Sequence, residues 1–186
     1  MKTKAIEPGK YVALMRGINV GGKNMLPMVD LAKMFVAAGC GEVRTYIQSG
    51  NVIFCAEREL AEFVAEAIAK QIAKKFKIQV PVVVRSEKEL EEIVANNPFI
   101  KPGAAGDNLH VMFLADLPER ERVAGLDVKR SSPDEFIVRG REIFLKLPNG
   151  AGRSKLTNAY FDSKLKTVST SRNWRTVLKL VEMMKI

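Results

Sequence analysis

Two hydrophobic periods take turns along this chain, and the places where one gives way to the other mark its elements. Residues 11–15 (YVALM) form a short unbroken apolar run, the pattern of a buried strand. A polar, glycine-rich stretch over residues 16–24 follows. Leu31, Met34, Phe35 and Ala38 then recur at helical spacing; Pro27 and Asp30 announce that helix, with Asp30 as its N-cap, and Gly39 and Gly41 end it. Residues 43–47 are rich in β-branched and aromatic side chains and predict a strand. Residues 48–51 form a hairpin turn in which Gly50 supplies positive φ, and residues 52–55 return as the partner strand. A second helix carries Leu60, Phe63, Val64, Ala67, Ile68 and Ile72 on one stripe. Residues 78–84, with Pro81 early, read as an edge strand. The order β-α-β-β-α-β predicts an α+β fold of the ferredoxin-like kind: a four-stranded antiparallel sheet with both helices on one face.

The second half repeats that order without repeating the residues. Ser86 caps a helix running through Asn96, and Glu89 completes a capping box. The loop from Asn97 to Gly106 is rich in Pro and Gly and sets a boundary, giving subdomains 1–97 and 98–186. Strands follow at residues 109–114, 135–139 and 142–147, with a short helix from Pro118 to about Gly125. Residues 154–165 read as a helix and residues 167–169 as a short strand. A terminal helix places Trp174, Val177, Leu178, Val181 and Met184 on one face. The expectation is a second, related α+β subdomain followed by a C-terminal helix.

Composition narrows the function classes. No apolar run is long enough to span a bilayer, and the first residues have cations without an apolar h-region, so a cytoplasmic protein with no membrane association is expected. Cys40, Cys55 and the single His110 make neither a disulfide framework nor a metal-ligand set; a metal site and a cofactor are not expected. The net charge of +9 is unevenly placed. Residues 1–50 carry seven Lys/Arg against three Asp/Glu, residues 51–149 fifteen against sixteen, and residues 150–186 eight against two. A basic surface built from both ends of the chain fits an anionic partner.

The strings YVALMRGINVGGKN, TYIQSGNVIF, GRSKLTNAYFDSKL and TSRNWRTVLKL lie along the chain between about Tyr11 and Met183. In this combination the chain resembles the bacterial family known as domain of unknown function 1697. The resemblance implies a cytoplasmic bacterial α+β protein and carries no activity with it.

The same strings hold the candidate site residues. In the first, Arg16 and Lys23 supply charge, while Gly21, Gly22 and Asn24 supply backbone or amide donors for an anion nest. The glycine spacing is neither the P-loop nor the dinucleotide fingerprint, and a plain glycine turn explains it equally. In the second, Arg44, Tyr46 and Gln48 share one strand face, where Tyr46 and Gln48 would meet bases or sugars on an open sheet, and Asn51 in the turn is a further ligand-binding candidate. The RNA-binding strings of such sheets are absent, and a simple hairpin is the competing explanation. In the last two, Arg153, Lys155, Arg172 and Arg175 stand at expected helix N-termini, where free N–H groups attract anions; Ser171 or Asn173 as an N-cap accounts for the same residues structurally. The resulting expectation is a module for a phosphate-bearing ligand, nucleic acid foremost. The alternatives are an enzyme or sensor of a small anion such as a nucleotide, and a protein-interaction module using the last helix. A catalyst would have to use Ser, Thr, Tyr or Lys without a recognisable base.

Overall fold

The computed structural model describes residues 8–100, 106 and 108–186. The expectations about a leader at the chain start and about the loop boundary at residues 101–105 and 107 lie outside the described residues. The chain divides into two compact units, one of residues up to 89 together with 182–186, the other of residues 90–181.

The first unit runs β1 (Gly9–Met15), α1 (Met28–Ala37), β2 (Gly41–Tyr46), β3 (Asn51–Ala56), α2 (Arg58–Phe76) and β4 (Val82–Ser86). Its strands order β2-β3-β1-β4, antiparallel throughout, which is the expected plait. Strand alternation sends Ala13, Met15, Val52, Phe54 and Ala56 to the helix side, where they pack with Leu31 and Phe35 of α1 and Val64, Ile68 and Ile72 of α2. Phe35 and Phe54 meet with ring centroids 5.2 Å apart.

Three local expectations for this unit are corrected. The helix α1 begins at Met28 behind an extended Pro27, so Asp30 sits in its first turn rather than at its cap. Its carboxylate there favours the helix dipole and pairs with Lys75 at 3.3 Å. The buried stripe of α2 is Ala61, Val64, Ile68 and Ile72; Phe63, roughly 100° round the helix from Val64, is 66% exposed. Ile47 leaves the strand for the turn, with φ 47°.

The opposite face of this sheet is not open. Val12 pairs with Ile53 and Arg85, and Leu14 with Asn51 and Val83, so these side chains share that face. All of them are buried. The end of the chain, part of the same unit, reaches this sheet: Lys10 Nζ donates to the Met184 carbonyl at 2.7 Å and Arg44 Nη2 to the Met183 carbonyl at 2.7 Å.

Between the sheets lies α3 (Glu87–Ala95) in sequence, and its capping box forms as expected. Ser86 Oγ accepts from the Glu89 N–H at 3.3 Å while Glu89 Oε2 accepts from the Ser86 N–H at 2.8 Å. The second unit continues with β5 (Leu109–Leu114), α4 (Arg120–Ala124), β6 (Glu135–Arg139), β7 (Glu142–Lys146), α5 (Asn158–Leu165), β8 (Ser169–Asn173) and α6 (Trp174–Met184), of which the residues from Glu182 onward belong to the first unit. Its strands order β6-β7-β5-β8, the same plait order as the first unit. Met112, Leu114, Ile143 and Leu145 pack under Tyr160, Phe161 and Leu165 of α5. Phe161 stacks edge-on with Phe136 at 5.3 Å and Tyr160 at 5.0 Å.

Two boundaries differ here. Residues 151–153 form a 3-10 turn and α5 starts only at Asn158, so Arg153 and Lys155 precede the helix instead of opposing its dipole. The last strand is residues 169–173, which were expected to lead into the helix. On α6 the buried residues include Trp174, Val177, Leu180 and Met184, while Leu178 is 43% exposed. The apolar face of that helix is core, displaced by part of a turn from the expected stripe.

Candidate functional site

The first basic loop begins where β1 is pinned at its end. Met15 N–H donates to the Gly50 carbonyl at 2.8 Å and Arg16 N–H to the Pro81 carbonyl at 3.0 Å. Arg16 is half-buried and held by further partners. The loop is then a small hairpin organised by Asn19. Its Nδ2 donates to the carbonyls of Leu26 and Gln48, each at 2.9 Å, and its Oδ1 accepts from the Leu26 N–H at 2.7 Å. At the tip, Lys23 N–H donates to the Val20 carbonyl at 3.1 Å across Gly21 (φ 58°) and Gly22 (φ 72°). Two successive positive φ values make a primed turn, which glycine alone accepts without strain. Asn24 Nδ2 closes back on the Gly17 carbonyl at 2.8 Å. Gly21, Gly22 and Lys23 are exposed, and the N–H groups of both glycines make no hydrogen bond among the described residues. Asn19→Ala removes all the Asn19 side-chain bonds and strands the Leu26 N–H; a loss of about 2–3 kcal/mol is expected, read as a lower urea midpoint with unchanged slope.

The hairpin residues sit differently. Asn51 is fully buried, and its amide donates to the Tyr46 carbonyl at 3.0 Å and Ser49 Oγ at 3.1 Å. It holds the turn. Tyr46 is half-buried, Gln48 is exposed, and the sheet face beside them is the buried one described above. Base stacking across that face has no room.

The second unit builds a basic surface from two cross-linked loops. Lys155 N–H donates to Ser131 Oγ at 3.0 Å, and Arg130 Nε donates to the Lys155 carbonyl at 3.2 Å. The Arg130 guanidinium lies over the Tyr160 ring, 4.1 Å from its centroid, while the Tyr160 hydroxyl accepts from the Asp127 N–H at 3.0 Å. Ser131 Oγ in turn donates to Asp134 Oδ2 at 2.6 Å. Arg130 is thus oriented from two sides, and its two terminal amino groups make no hydrogen bond among the described residues. Lys129, Arg130, Arg153 and Lys155 are all exposed. Lys129 and Arg130 were not candidates on sequence, because they lie in the middle stretch whose charge nearly cancels. An adjacent cation pair ahead of a Ser-Ser-Pro turn was the available signal.

Arg172 and Arg175 part company. Arg172 is buried in β8, with Nη1 donating to Thr170 Oγ1 at 2.9 Å and the Ser171 carbonyl at 2.8 Å. Burial lowers its pKa to about 10, so it stays charged at neutral pH. Arg175 is exposed in the first turn of α6, whose N-cap is Asn173: Asn173 Oδ1 accepts from the Thr176 N–H at 2.8 Å. A cavity of about 520 Å³ opens here, lined by Asn108, His110, Asn173, Trp174 and Arg175 with Gly106 and Leu109.

His110 Nδ1 is buried without a hydrogen-bond partner among the described residues, and burial lowers the imidazole pKa from 6.5 against a smaller upward pull from a backbone hydrogen bond with Asn108. The unfolded chain therefore takes up this proton first. Stability is full above pH 6.5, falls as pH drops towards the folded pKa, and levels off below it. Urea midpoints measured from pH 8 to 5 should show this fall, and His110→Gln should remove it. Burial also raises the thiol pKa of Cys40, to about 11, and that of Cys55, the latter with help from Glu42; both are protonated at neutral pH and neither is an activated nucleophile. No cluster of metal-ligating side chains occurs among the described residues, and no helix among them is long and apolar enough to cross a membrane.

The profile of a family described as protein of unknown function, DUF1697, matches residues 9–144, taking in the first two of the four strings. Among solved structures, a conserved bacterial protein, SP0830 from Streptococcus pneumoniae, superposes with a TM-score of 0.68 at 23% identity, covering 95% of this chain and 99% of that one. This likeness shows a shared fold. No curated protein matches the chain.

Proposed function

We propose a nucleic-acid-binding role for this chain, which belongs to the DUF1697 family of proteins of unknown function. The observation that carries the reading is Arg130, held over the Tyr160 ring and tied to the Lys155 backbone, with its terminal amino groups making no hydrogen bond among the described residues. An oriented guanidinium beside exposed Lys129, Arg153 and Lys155 suits a row of phosphates, which it can grip bidentately. Taken by itself, the first unit offers a separate candidate contact at Gly21, Gly22 and Lys23, two open backbone donors and a cation at a hairpin tip. The buried sheet face removes base stacking, and the contacts available are to backbone phosphate, so binding should be strong in charge and weak in sequence preference.

An electrophoretic shift assay tests this. Wild type should retard short RNA and DNA of unrelated sequences to similar extents. Retardation of one sequence alone, or none, counts against a backbone-reading surface.

A further inference from the structure

The helix side of the first unit carries an outer face that stays exposed. Asp30 pairs with Lys75 at 3.3 Å, and a Cβ at Gly39 would stand 3.5 Å from Leu60, so α1 and α2 run antiparallel, the start of each beside the end of the other. Their inner stripes fill the core. On the outer side Val29 and Val36 are 66% and 60% exposed, and Phe63 is 66% exposed. The two valines, at i and i+7 on α1, share one stripe. On α2 the outward stripe is Glu59, Phe63, Glu66, Lys70 and Lys74, all exposed. Glu66 and Lys70 pair with each other, whereas Glu59 and Lys74 make no ion pair among the described residues.

Acids early in a helix and bases late in it suit the helix dipole. The dipole gives no reason for a phenylalanine between them or for the valines beside it. A two-fold axis gives one. Placed across α2 between Glu66 and Ala67, it sets Glu59 opposite Lys74 of a second copy and Phe63 opposite Lys70 of that copy, each pair occurring twice. Leu60 stands beside Gly39, and equal steps from that level along each helix bring the same axis to α1 between Ala32 and Lys33. Val29 then lies opposite Val36 of the second copy. Lys33, exposed near the axis, is long enough to carry its ammonium out to the rim. One operator therefore matches both open charges and every exposed large apolar residue of the two helices. We infer that this chain forms a two-fold dimer through α1 and α2, helix layer on helix layer. With 19 residues, about 28 Å, α2 gives the face the reach of an ordinary dimer interface. The basic loops take no part in it, so the dimer stands or fails separately from the nucleic-acid reading.

Sedimentation velocity of the full chain, from low to high micromolar concentration, should show a monomer–dimer equilibrium. Phe63→Ala should weaken it at least about tenfold, as loss of a central aromatic anchor does. Glu59→Lys alone and Lys74→Glu alone each set like charges against one another at both ends of the interface, and each should weaken it by about tenfold or more. The double variant restores opposite charges and should dimerise nearly as well as wild type. Both swaps oppose the dipole of α2, so a loss caused by a weakened helix would be greatest in the double variant. Rescue thus separates an interface from a helix effect. Three results would overturn the inference: monomer alone at every concentration, a dimer indifferent to Phe63→Ala and Glu59→Lys, or a double variant that dimerises more weakly than either single one.

Discussion

Gly50→Ala is expected to destabilise the first unit by about 2–4 kcal/mol, more than loss of most surface contacts. Two costs combine. The backbone at Gly50 has φ 78°, where a side chain is strained. An added Cβ would also stand 2.7 Å from Met15 Cβ and 2.8 Å from Ile18 Cδ1, both buried. The turn cannot back away, because the Gly50 carbonyl accepts the Met15 N–H at 2.8 Å and Asn51 next to it is locked into the hairpin. A fall in melting temperature of roughly 6–12 °C should follow for a chain of this size. Gly21→Ala is the control: its φ of 58° carries the same backbone strain, but nothing lies within 4 Å of its Cβ position. That variant should lose only about 1 kcal/mol. Overlaid melting curves for the two variants would contradict the packing described around Gly50.

The largest effect on binding is expected from Arg130→Ala, Arg153→Ala and Lys155→Ala combined. Each cation that neutralises a phosphate adds close to one unit to the slope of log affinity against log salt. Clearing all of them should flatten that slope by about 3 and weaken binding roughly 10²-fold or more at low salt. The fold should survive, since all are exposed and the stacking of Arg130 on Tyr160 contributes about 0.5–1 kcal/mol. Asp127 and Asp134, which accept from Lys129 N–H and Ser131 Oγ, remain to hold the loop. Affinity that drops without any change in salt slope would mean that these residues act through the loop's shape and not through phosphate.

Element order was legible because the periods are strong: the β5 apolar run, the Ser86–Glu89 box and the hairpin glycines are each local signals, and local physics decided them. The start of α5 was not, because two residues compete for the cap. Ser154 Oγ accepts from the Leu156 N–H, an ordinary turn, whereas Thr157 Oγ1 accepts from the Tyr160 N–H and is the true N-cap. The short strand expected at residues 167–169 lies instead at residues 169–173, a stretch too polar in sequence to show its extent; Thr170 and Arg172 are buried there and satisfied by hydrogen bonds that the sequence does not announce. The site was legible only as charge. Sequence placed Arg153, Lys155, Gly21, Gly22 and Lys23 at exposed positions, but gave Asn51 and Arg172 the same standing although both are buried. It passed over Arg130, which reaches Lys155 through a tertiary hydrogen bond between loops 25 residues apart.

Fluorescence anisotropy of labelled single- and double-stranded RNA and DNA, titrated with the full chain at roughly 50 and 200 mM salt, tests the central claim most directly. The account predicts saturable binding at the lower salt, little preference among sequences, and a loss of about 10²-fold at the higher salt if four or so phosphates are engaged. No rise in anisotropy at the lower salt with any of the four nucleic acids would contradict it.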